Sequence, residues 1–413
     1  MRTSEAESPF VLDPTGADVH GDAARIRARG PATRVMLPDG VPAWAVSDPE
    51  LLRRLLTDDR VSKDAHRHWP PLANGEVGPE WPLFAWVVVR NMFTAYGDDH
   101  RRLRRLISSA FTVRRTAALR PRVEAIVAAL LDEVADAGAE GPVDLRDRFA
   151  YPLPIQVICE LFGVADEGER EEIRRCVDVF FRTTATPEEA AAALPRLQEI
   201  LRGLVAEKRA RPADDLSSDL IAARDGGSRL SEEELVDTLA LFLSAGHETT
   251  VNLLDNAVHA LLTRPDQLAL VRSGRATWGD VIEETLRAEA PVANLPLRFA
   301  VEDIELDGGT VLREGEAIIA CFAAAGRDPG LHGDDADVFD VTRPDKEHLA
   351  FGYGVHHCLG APLARLEAEI ALPALFARFP GLALAVDPAE LQPLASFISN
   401  GHRALPVLLG GEG

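Results

Sequence analysis

Cys358 lies in a segment whose residue types fit the presentation of a thiolate to a metal ion. The segment reads Phe-Gly-Tyr-Gly-Val-His-His-Cys-Leu-Gly over residues 351–360. Gly352 and Gly354 permit a tight turn, and the helical pattern that follows would place the sulfur at a helix N-terminus. There, free backbone N–H groups and the positive end of the helix dipole stabilise an anion. Phe351 would shield the sulfur from water, so the segment predicts a coordinating thiolate.

Two other interpretations compete with this one. A lone cysteine in a glycine-containing turn is most often a buried structural residue. His356, His357 and Cys358 are also zinc-type donors, but adjacent residues cannot easily all reach one tetrahedral ion, and no second Cys/His pair has ligand spacing. A thiolate that donates electron density to haem iron, and so favours O–O bond cleavage, agrees with the whole segment.

A long apolar segment carries the second group of candidate residues. Ser231 and Glu234 form a capping box, and Pro265 stops the pattern, so one helix is predicted over 231–262. Because the segment is apolar on nearly all sides, the helix is expected to run through the core.

The centre of this helix, residues 245–250, combines helix-weakening residues with candidate proton carriers. Gly246 costs ~1 kcal/mol against Ala, and Thr249 can bond the carbonyl four residues earlier. Together they predict a local widening or kink with room for O₂. Thr249 would hydrogen-bond the reduced oxygen or an ordered water, and Glu248 would link it to bulk solvent. The alternative is a threonine that caps its own helix and a solvated glutamate. A zinc-protease motif is excluded, because Val251 stands where its second histidine is needed.

These segments closely resemble the cytochrome P450 superfamily. Residues 351–365 are similar to its haem-binding loop, residues 91–97 and 110–112 look like actinobacterial members, and the resemblance covers the chain from about Asp13 to Leu408. It implies a mainly α-helical, single-domain fold with small peripheral β-sheets. Haem b would lie between the long central helix and the helix after the cysteine loop.

A structural brace is implied by the same resemblance. Glu284 and Arg287 share a helix face, although such a pair is a weak signal alone because most are surface ion pairs. In the superfamily this pair lies between the threonine and cysteine segments, and a later arginine completes it. Arg343 matches that place, so the three residues are expected to make the fold and the haem pocket rigid.

The resemblance also implies which residues contact the cofactor and the substrate. Arginine suits bidentate contact with the haem carboxylates. The expected cofactor residues are Cys358 as iron ligand, Phe351 and Gly352 in the loop, and His100, Arg104, Arg298 and His356 at the propionates. The expected substrate residues are Leu241, Ala245, Val292, Asn294, Leu295 and Phe397.

The implied activity is insertion of one oxygen atom from O₂ into a bulky apolar small molecule, such as a polyketide, a steroid or a similar natural product. No flavin or iron–sulfur segment is fused to the chain, so the electrons would come from a separate ferredoxin and its reductase. The basic residues Arg101, Arg102, Arg105, Arg114 and Arg115 are either a solvated face or a docking patch for that donor. An H₂O₂-driven peroxygenase and a non-enzymatic haem sensor or carrier are alternatives, and Thr249 with Glu248 count against both.

Composition limits the partners. The chain has 413 residues and a net charge of −22, which opposes nonspecific binding to nucleic acid. Its four cysteines form no C-x-x-C pair, which fits a reducing cytoplasm. The N-terminus has no apolar core, and no run approaches the ~20 apolar residues of a membrane span. A cytoplasmic monomer without membrane or nucleic-acid partners is therefore expected.

Helical periodicity dominates the chain from Asp98 onward. Residues 65–90 are rich in Pro, Gly and Trp and predict a long irregular loop, and short strands are predicted near 297–320 and 383–409. We expect one domain over 1–413. The predicted helices are 98–112, 119–137, 155–162, 166–182, 187–209, 231–263, 278–289 and 360–378.

Overall fold

The computed structural model describes residues 8–108, 113–164, 166–223 and 227–410, with the backbone alone for 113–115. Within these residues the chain is mainly helical. The helices are α1 (Val19–Arg29), α2 (Pro49–Thr57), α3 (Ala65–His68), α4 (Pro70–Ala73), α5 (Phe84–Val88), α6 (Gly97–Ser108), α7 (Val113–Ala118), α8 (Arg120–Gly138), α9 (Pro152–Phe162), α10 (Glu167–Phe181), α11 (Pro187–Ala210), α12 (Leu216–Ala222), α13 (Glu232–Thr263), α14 (Pro265–Arg272), α15 (Trp278–Ala288), α16 (Phe322–Gly326), α17 (Pro329–His332) and α18 (Ala361–Arg378).

The strands form small sheets beside the helices. A sheet of six strands has the order β1-β2-β3-β9-β6-β4, a second has the order β10-β11-β5, and β7 pairs with β8. The strands are β1 (Phe10–Val11), β2 (Ala32–Met36), β3 (Pro42–Val46), β4 (Val61–Ser62), β5 (Val143–Asp144), β6 (Asn294–Ala300), β7 (Ile304–Glu305), β8 (Val311–Leu312), β9 (Ala317–Cys321), β10 (Ala383–Leu384) and β11 (Pro406–Leu408).

An irregularity in β6 matters for the site. The pairing of β6 with β9 shifts register between Leu295 and Arg298. Residues three apart in a regular strand face opposite sides of a sheet. The shift instead allows Leu295 and Arg298 to line the same cavity.

Helix α13 runs through the core, as predicted from its capping box and its apolar faces. The Ser231 hydroxyl accepts from the Glu234 backbone, and the Glu234 carboxylate accepts from the Ser231 backbone. The predicted widening at the centre is wrong, because the helix is α-helical at every residue from Glu232 to Thr263. Gly246 has another function there. A Cβ atom on it would lie 2.5 Å from Cδ1 of Ile158, so glycine permits the close approach of α9.

The predicted helices are confirmed with small shifts at their ends, but residues 65–90 differ from the prediction. This segment contains the short helices α3, α4 and α5 and is not a purely irregular loop. Trp69 and Trp81 are buried and anchor it, and the Trp69 ring stacks on Phe299 at 5.3 Å. The described part of the helix predicted over 98–112 ends at Ser108. Residues 109–112, which include the segment 110–112, lie outside the described residues. The next helix, α7, begins at Val113.

Helix α18 begins just after the cysteine loop and packs against α8, α13 and α15. Its first turn and the centre of α13 border one cavity. None of the helices within the described ranges combines the length and apolar character needed to span a membrane.

Candidate active site

The cysteine loop has the backbone that its glycines predict. Gly352 and Gly354 adopt φ of 70° and 71°, which L side chains rarely adopt. A Cβ atom on Gly354 would also lie 2.8 Å from the carbonyl oxygen of Leu56. The loop is closed by a hydrogen bond of 2.9 Å from the Cys358 N–H to the Phe351 carbonyl.

Cys358 presents its sulfur to the cavity between α13 and α18, which we call the thiol cavity and which has a volume of about 210 Å³. The other cysteines, Cys159, Cys176 and Cys321, are buried in the core. Burial below the protein surface raises the pKa of the Cys358 thiol. The backbone N–H groups of Gly360 and Ala361 and two nearby guanidinium groups act in the opposite direction. The helix N-terminus therefore assists an anionic sulfur, as predicted.

Phe351 is held against the sulfur side of the loop by a charged pair. The Arg365 guanidinium lies 4.6 Å from the centre of the Phe351 ring. Arg365 donates to both oxygens of Glu283, at 2.6 and 2.9 Å. Although burial acts in the opposite direction, Arg365 and His348 lower the pKa of Glu283 to about 2. This ion pair fixes the aromatic ring that covers the loop.

The predicted propionate residues come together at one edge of the thiol cavity. The His100 and His356 rings are 4.1 Å apart. Arg298 and Arg104 also line the cavity, and Arg104 donates to the His357 carbonyl at 2.9 Å. Burial lowers the pKa of Arg298 to about 10 and, with the cations around it, that of His100 to about 4.

Lys63 is a further member of this group that the sequence analysis missed. Its ammonium is buried, lines the thiol cavity and lies 3.5 Å from the centre of the Phe93 ring. Burial, with the charge of Arg298, holds the pKa of Lys63 well below its ordinary value. Only three of the 44 basic residues are lysines. That bias was the one available signal that this lysine is not an ordinary surface charge.

Unpartnered polar atoms test whether this site suits a dianionic cofactor. Nζ of Lys63, Nη1 of Arg298 and Nε2 of His100 are buried without a hydrogen-bond partner. A buried cation without a partner is costly, and a carboxylate beside it removes that cost. Two carboxylates at this edge would accept from these donors, and the Cys358 sulfur could ligate an iron, so the residues fit haem b.

The predicted brace is assembled and fully buried. Arg287 donates to both carboxylate oxygens of Glu284, at 2.8 and 2.6 Å, and neither side chain is exposed. Arg343 lies 3.7 Å from Glu284 and donates to the carbonyls of His332 and Asp335. These bonds link α15 to the segment that precedes the cysteine loop.

Thr249 and Glu248 face different cavities on two sides of α13. Successive residues of an α-helix point about 100° apart. Thr249 lines the thiol cavity, and its hydroxyl donates to the Ala245 carbonyl at 2.7 Å. The helix-capping bond of the alternative interpretation is therefore present, and it leaves the lone pairs of the hydroxyl oxygen available to accept.

Glu248 is buried, so the alternative of a solvated glutamate is wrong. Its carboxylate lies 3.2 Å from Arg146 and lines a polar cavity of about 610 Å³ on the far side of α13, which we call the acid-side cavity. Burial raises the pKa of Glu248 to about 7, and Arg146 opposes that rise. Asp147, Thr184 and Arg403 are exposed at the rim, so this cavity reaches the surface.

Four of the six predicted substrate residues line a second, apolar cavity that adjoins the thiol cavity. Leu241, Ala245, Val292 and Leu295 border both cavities, and Phe93 and Trp86 extend the apolar wall. The other two predicted residues are not among the described residues that line these cavities. Asn294 instead donates to the Phe397 carbonyl at 2.7 Å, and both are buried. The Asn294 amide faces the C-terminal segment, so this bond joins the wall of the cavity to that segment.

A thiol loop facing a cation-lined cavity, between a long central helix and a second helix, defines a haem-thiolate protein. The family model described as cytochrome P450 matches residues 87–273 and 279–392. The chain belongs to the cytochrome P450 family.

Solved structures and curated relatives agree with this assignment. CYP154A1 from Streptomyces coelicolor A3(2) is similar at a TM-score of 0.92 and 58% identity, over 97% of this chain and 100% of that chain. The 2-hydroxy-5-methyl-1-naphthoate 7-hydroxylase of Streptomyces carzinostaticus is 47% identical over 98% of both chains. The 6-deoxyerythronolide B hydroxylase of Saccharopolyspora erythraea is 40% identical over 94% of this chain and 95% of its own. The protein is accordingly a P450 monooxygenase, and the family carries haem b with a cysteine thiolate as axial ligand.

Proposed function

We propose that this monooxygenase hydroxylates a bulky apolar natural product of the polyketide or steroid class. The observation that carries the proposal is the apolar cavity, because it adjoins the cavity of Cys358 and is walled by Phe93, Leu241 and Val292. Such a cavity favours apolar ligands through burial of their surface. Relatives named as hydroxylases of a naphthoate and of 6-deoxyerythronolide B support the same class.

Within this proposal Cys358 is the iron ligand, and the whole chain, 1–413, is one domain. When bound, the haem supplies O₂ binding and its reductive activation. His100, Arg104, Arg298, His356 and Lys63 hold its carboxylates, and Phe351 and Gly352 shape the loop around the sulfur. Glu284, Arg287 and Arg343 keep that loop in place.

Thr249 and Glu248 would move the protons that O₂ reduction consumes. The Thr249 oxygen can hold a water at the thiol cavity, and Glu248 is the acid that meets solvent on the other side of the helix. A carboxyl with a pKa of about 7 can both accept and release a proton near neutral pH. The Arg146 pair must loosen for Glu248 to reach the Thr249 side, directly or through a water.

A separate ferredoxin chain is the proposed electron source. The four cysteines lie far apart in the sequence and form no cluster-binding motif. A docking patch receives limited support, because Arg101 pairs with Asp98 and Arg102 pairs with Glu234. The side chains of Arg114 and Arg115 lie outside the described residues. We also propose a cytoplasmic monomer, and the buried thiols of the other cysteines fit a reducing compartment.

The test begins with the absorption spectrum of the reduced protein with and without CO. A strongly red-shifted Soret band is expected for a thiolate ligand, and a band at the histidine-ligated position would contradict it. Polyketides and steroids are then screened by the spin-state shift of the oxidised protein and by product formation with a ferredoxin and its reductase. Turnover with H₂O₂ alone, as fast as with the redox chain, would favour a peroxygenase. Absence of substrate-dependent NAD(P)H consumption with several donors would favour a sensor or carrier.

A further inference from the structure

The acid-side cavity contains a second carboxyl group beside Glu248. Asp178, on α10, is half-buried and lines this cavity. Asp178, His247 and Glu248 each place one carboxylate oxygen or ring nitrogen so that these atoms all lie within 4.8 Å of one another. The cavity thus places Asp178 within one water molecule of the acid on α13, with a rim open to solvent.

Tyr151 holds Asp178 in this position. The Tyr151 hydroxyl donates to Oδ1 of Asp178, and the Arg174 guanidinium lies 5.2 Å from the centre of the tyrosine ring. Burial and the neighbouring Asp178 raise the pKa of Tyr151 far above its ordinary value, so the hydroxyl remains a donor. A carboxylate has about four lone-pair sites. One bond from Tyr151 therefore leaves the other oxygen of Asp178 able to carry a proton.

Two carboxyl groups this close cannot both ionise freely. Burial raises the pKa of Asp178 above its ordinary value. Arg146 offsets only part of the negative charge, because it lies 3.2 Å from Glu248 and 3.6 Å from Asp255. The titratable and charged groups that act on Asp178 and Glu248 or line their cavity are Arg146, Tyr151, Arg174, Arg182, His247 and Asp255, together with Asp144, Asp147 and Arg403.

His247 is a poor alternative carrier. Burial lowers its pKa to about 3, so its ring is neutral at neutral pH. Its Nε2 bonds the Tyr151 carbonyl at 3.1 Å and must carry the ring proton, which leaves Nδ1 as an acceptor. Asp178 is therefore the group in this cluster that is suited to exchange protons with solvent.

We propose that Asp178 passes protons from the solvent of the acid-side cavity to Glu248, an inference that rests on the proposed proton delivery by Glu248 and Thr249. In each transfer the O–H bond of the Asp178 carboxyl breaks, and an O–H bond forms on the Glu248 carboxylate, directly or through one water. A hydronium ion of the cavity solvent then restores the proton on Asp178. Tyr151 is a positioning residue, because it orients the Asp178 carboxyl without giving up its own proton.

The test compares the Asp178→Asn holoenzyme with wild type in a reconstituted redox chain. Asparagine has the same shape and still accepts from Tyr151 but carries no acidic proton. General acid–base groups contribute ~10²–10⁴-fold to rates. Because water provides a slower bypass, we expect product formed per NAD(P)H to fall roughly 10-fold, with more H₂O₂ and a larger solvent isotope effect. Tyr151→Phe should give a smaller loss of the same kind.

Asp147→Asn is the matched control, because it removes a carboxylate from the exposed rim of the same cavity. It should leave coupling and the isotope effect unchanged. Asp178→Asn combined with Glu248→Gln should resemble Glu248→Gln alone, since the residues act in one path. Wild-type coupling and isotope effect in Asp178→Asn, with an unchanged CO spectrum, would overturn the proposal.

An infrared titration separates this inference from the proposed function. The carboxyl band that Glu248→Gln abolishes should titrate near pH 7 in wild type and at lower pH in Asp178→Asn, because a neighbouring negative charge is removed. This readout needs no substrate. If no substrate is ever oxidised but the band shifts, the proposed function fails and the coupling of the two acids stands. An unshifted band refutes the coupling itself.

Discussion

Replacing Lys63 with methionine should stabilise the apoprotein against unfolding and weaken the binding of haem. The Lys63 ammonium is buried, 3% exposed, and has no hydrogen-bond partner. Methionine has a similar length and no charge. Lys63→Met therefore removes the cost of burying a cation while it keeps an apolar contact with Phe93.

The magnitudes follow from these contacts. An unsatisfied buried polar group costs ~1–3 kcal/mol, and more when it is charged. The Phe93 ring at 3.5 Å offsets part of this cost through a cation–π contact of ~0.5–2 kcal/mol. We expect the apoprotein to gain about 1–2 kcal/mol in free energy of unfolding. With haem bound, loss of a charged hydrogen bond of ~1.5–3 kcal/mol should weaken haem binding roughly 10- to 100-fold.

Urea unfolding of the apoprotein and haem transfer to an acceptor protein measure the two effects. The pKa of Lys63 is lower in the folded chain than its ordinary value of 10.5. Wild-type apoprotein should therefore gain stability as the pH rises through the folded-state pKa towards 10.5, and Lys63→Met should lack that gain.

Lys208 provides the matched control. Its ammonium is also buried but lies 2.7 Å from the buried Asp215 carboxylate. Lys208→Met leaves Asp215 unpaired, which should cost about 3–5 kcal/mol and leave haem release unchanged. An apoprotein that is destabilised by Lys63→Met, or haem release equal to that of wild type, would refute the reasoning.

Further outcomes follow from the loop and the central helix. Cys358→Ser should abolish the red-shifted band of the reduced CO complex, and a retained thiolate-type band would exclude Cys358 as the ligand. Thr249→Ala should divert electrons to H₂O₂, with at least about 10-fold less product per NAD(P)H; unchanged coupling would remove Thr249 from proton delivery. Arg365 and His348 lower the pKa of Glu283 to about 2, although burial acts in the opposite direction. The contribution of Glu283 to stability is therefore fully present above its ordinary pKa of 4.5 and is lost as the pH falls towards 2. The difference in urea midpoint between wild type and Glu283→Gln should therefore shrink between pH 6 and pH 3, and a constant difference would contradict this linkage.

Local sequence signals predicted the elements that hold the site. The capping box of Ser231 and Glu234 identified the first turn of α13, and the glycines of the cysteine loop predicted its left-handed turns. These signals work because each depends on neighbours within a few residues. The spacing of Glu284 and Arg287 likewise predicted a shared helix face, and the structure buries that pair completely.

Local sequence signals cannot predict contacts between residues that lie far apart in the chain. Arg146 lies 102 positions before Glu248 in the chain, and no local pattern indicates that their charges meet. Lys63 follows a two-residue strand, β4, so no repeat shows where its side chain points. The resemblance places Asn294 in the substrate wall, but the direction of its amide depends on the packing of the C-terminal segment. Side-chain direction in such places is decided by tertiary contacts.

Because Thr249 and Glu248 face different cavities, α13 separates a mainly apolar compartment from a polar one that opens to the surface. Neighbouring positions in the sequence of α13 therefore serve different functions, one in the substrate cavity and one in the charged network. Residues such as Leu241 and Ala245 can be exchanged to admit a different molecule without touching the charged network behind them. The same arrangement makes the helix intolerant of insertions. One added residue before the centre would turn the following side chains by about 100°, which would move the Glu248 carboxyl to the side that Thr249 now occupies, on the thiol cavity.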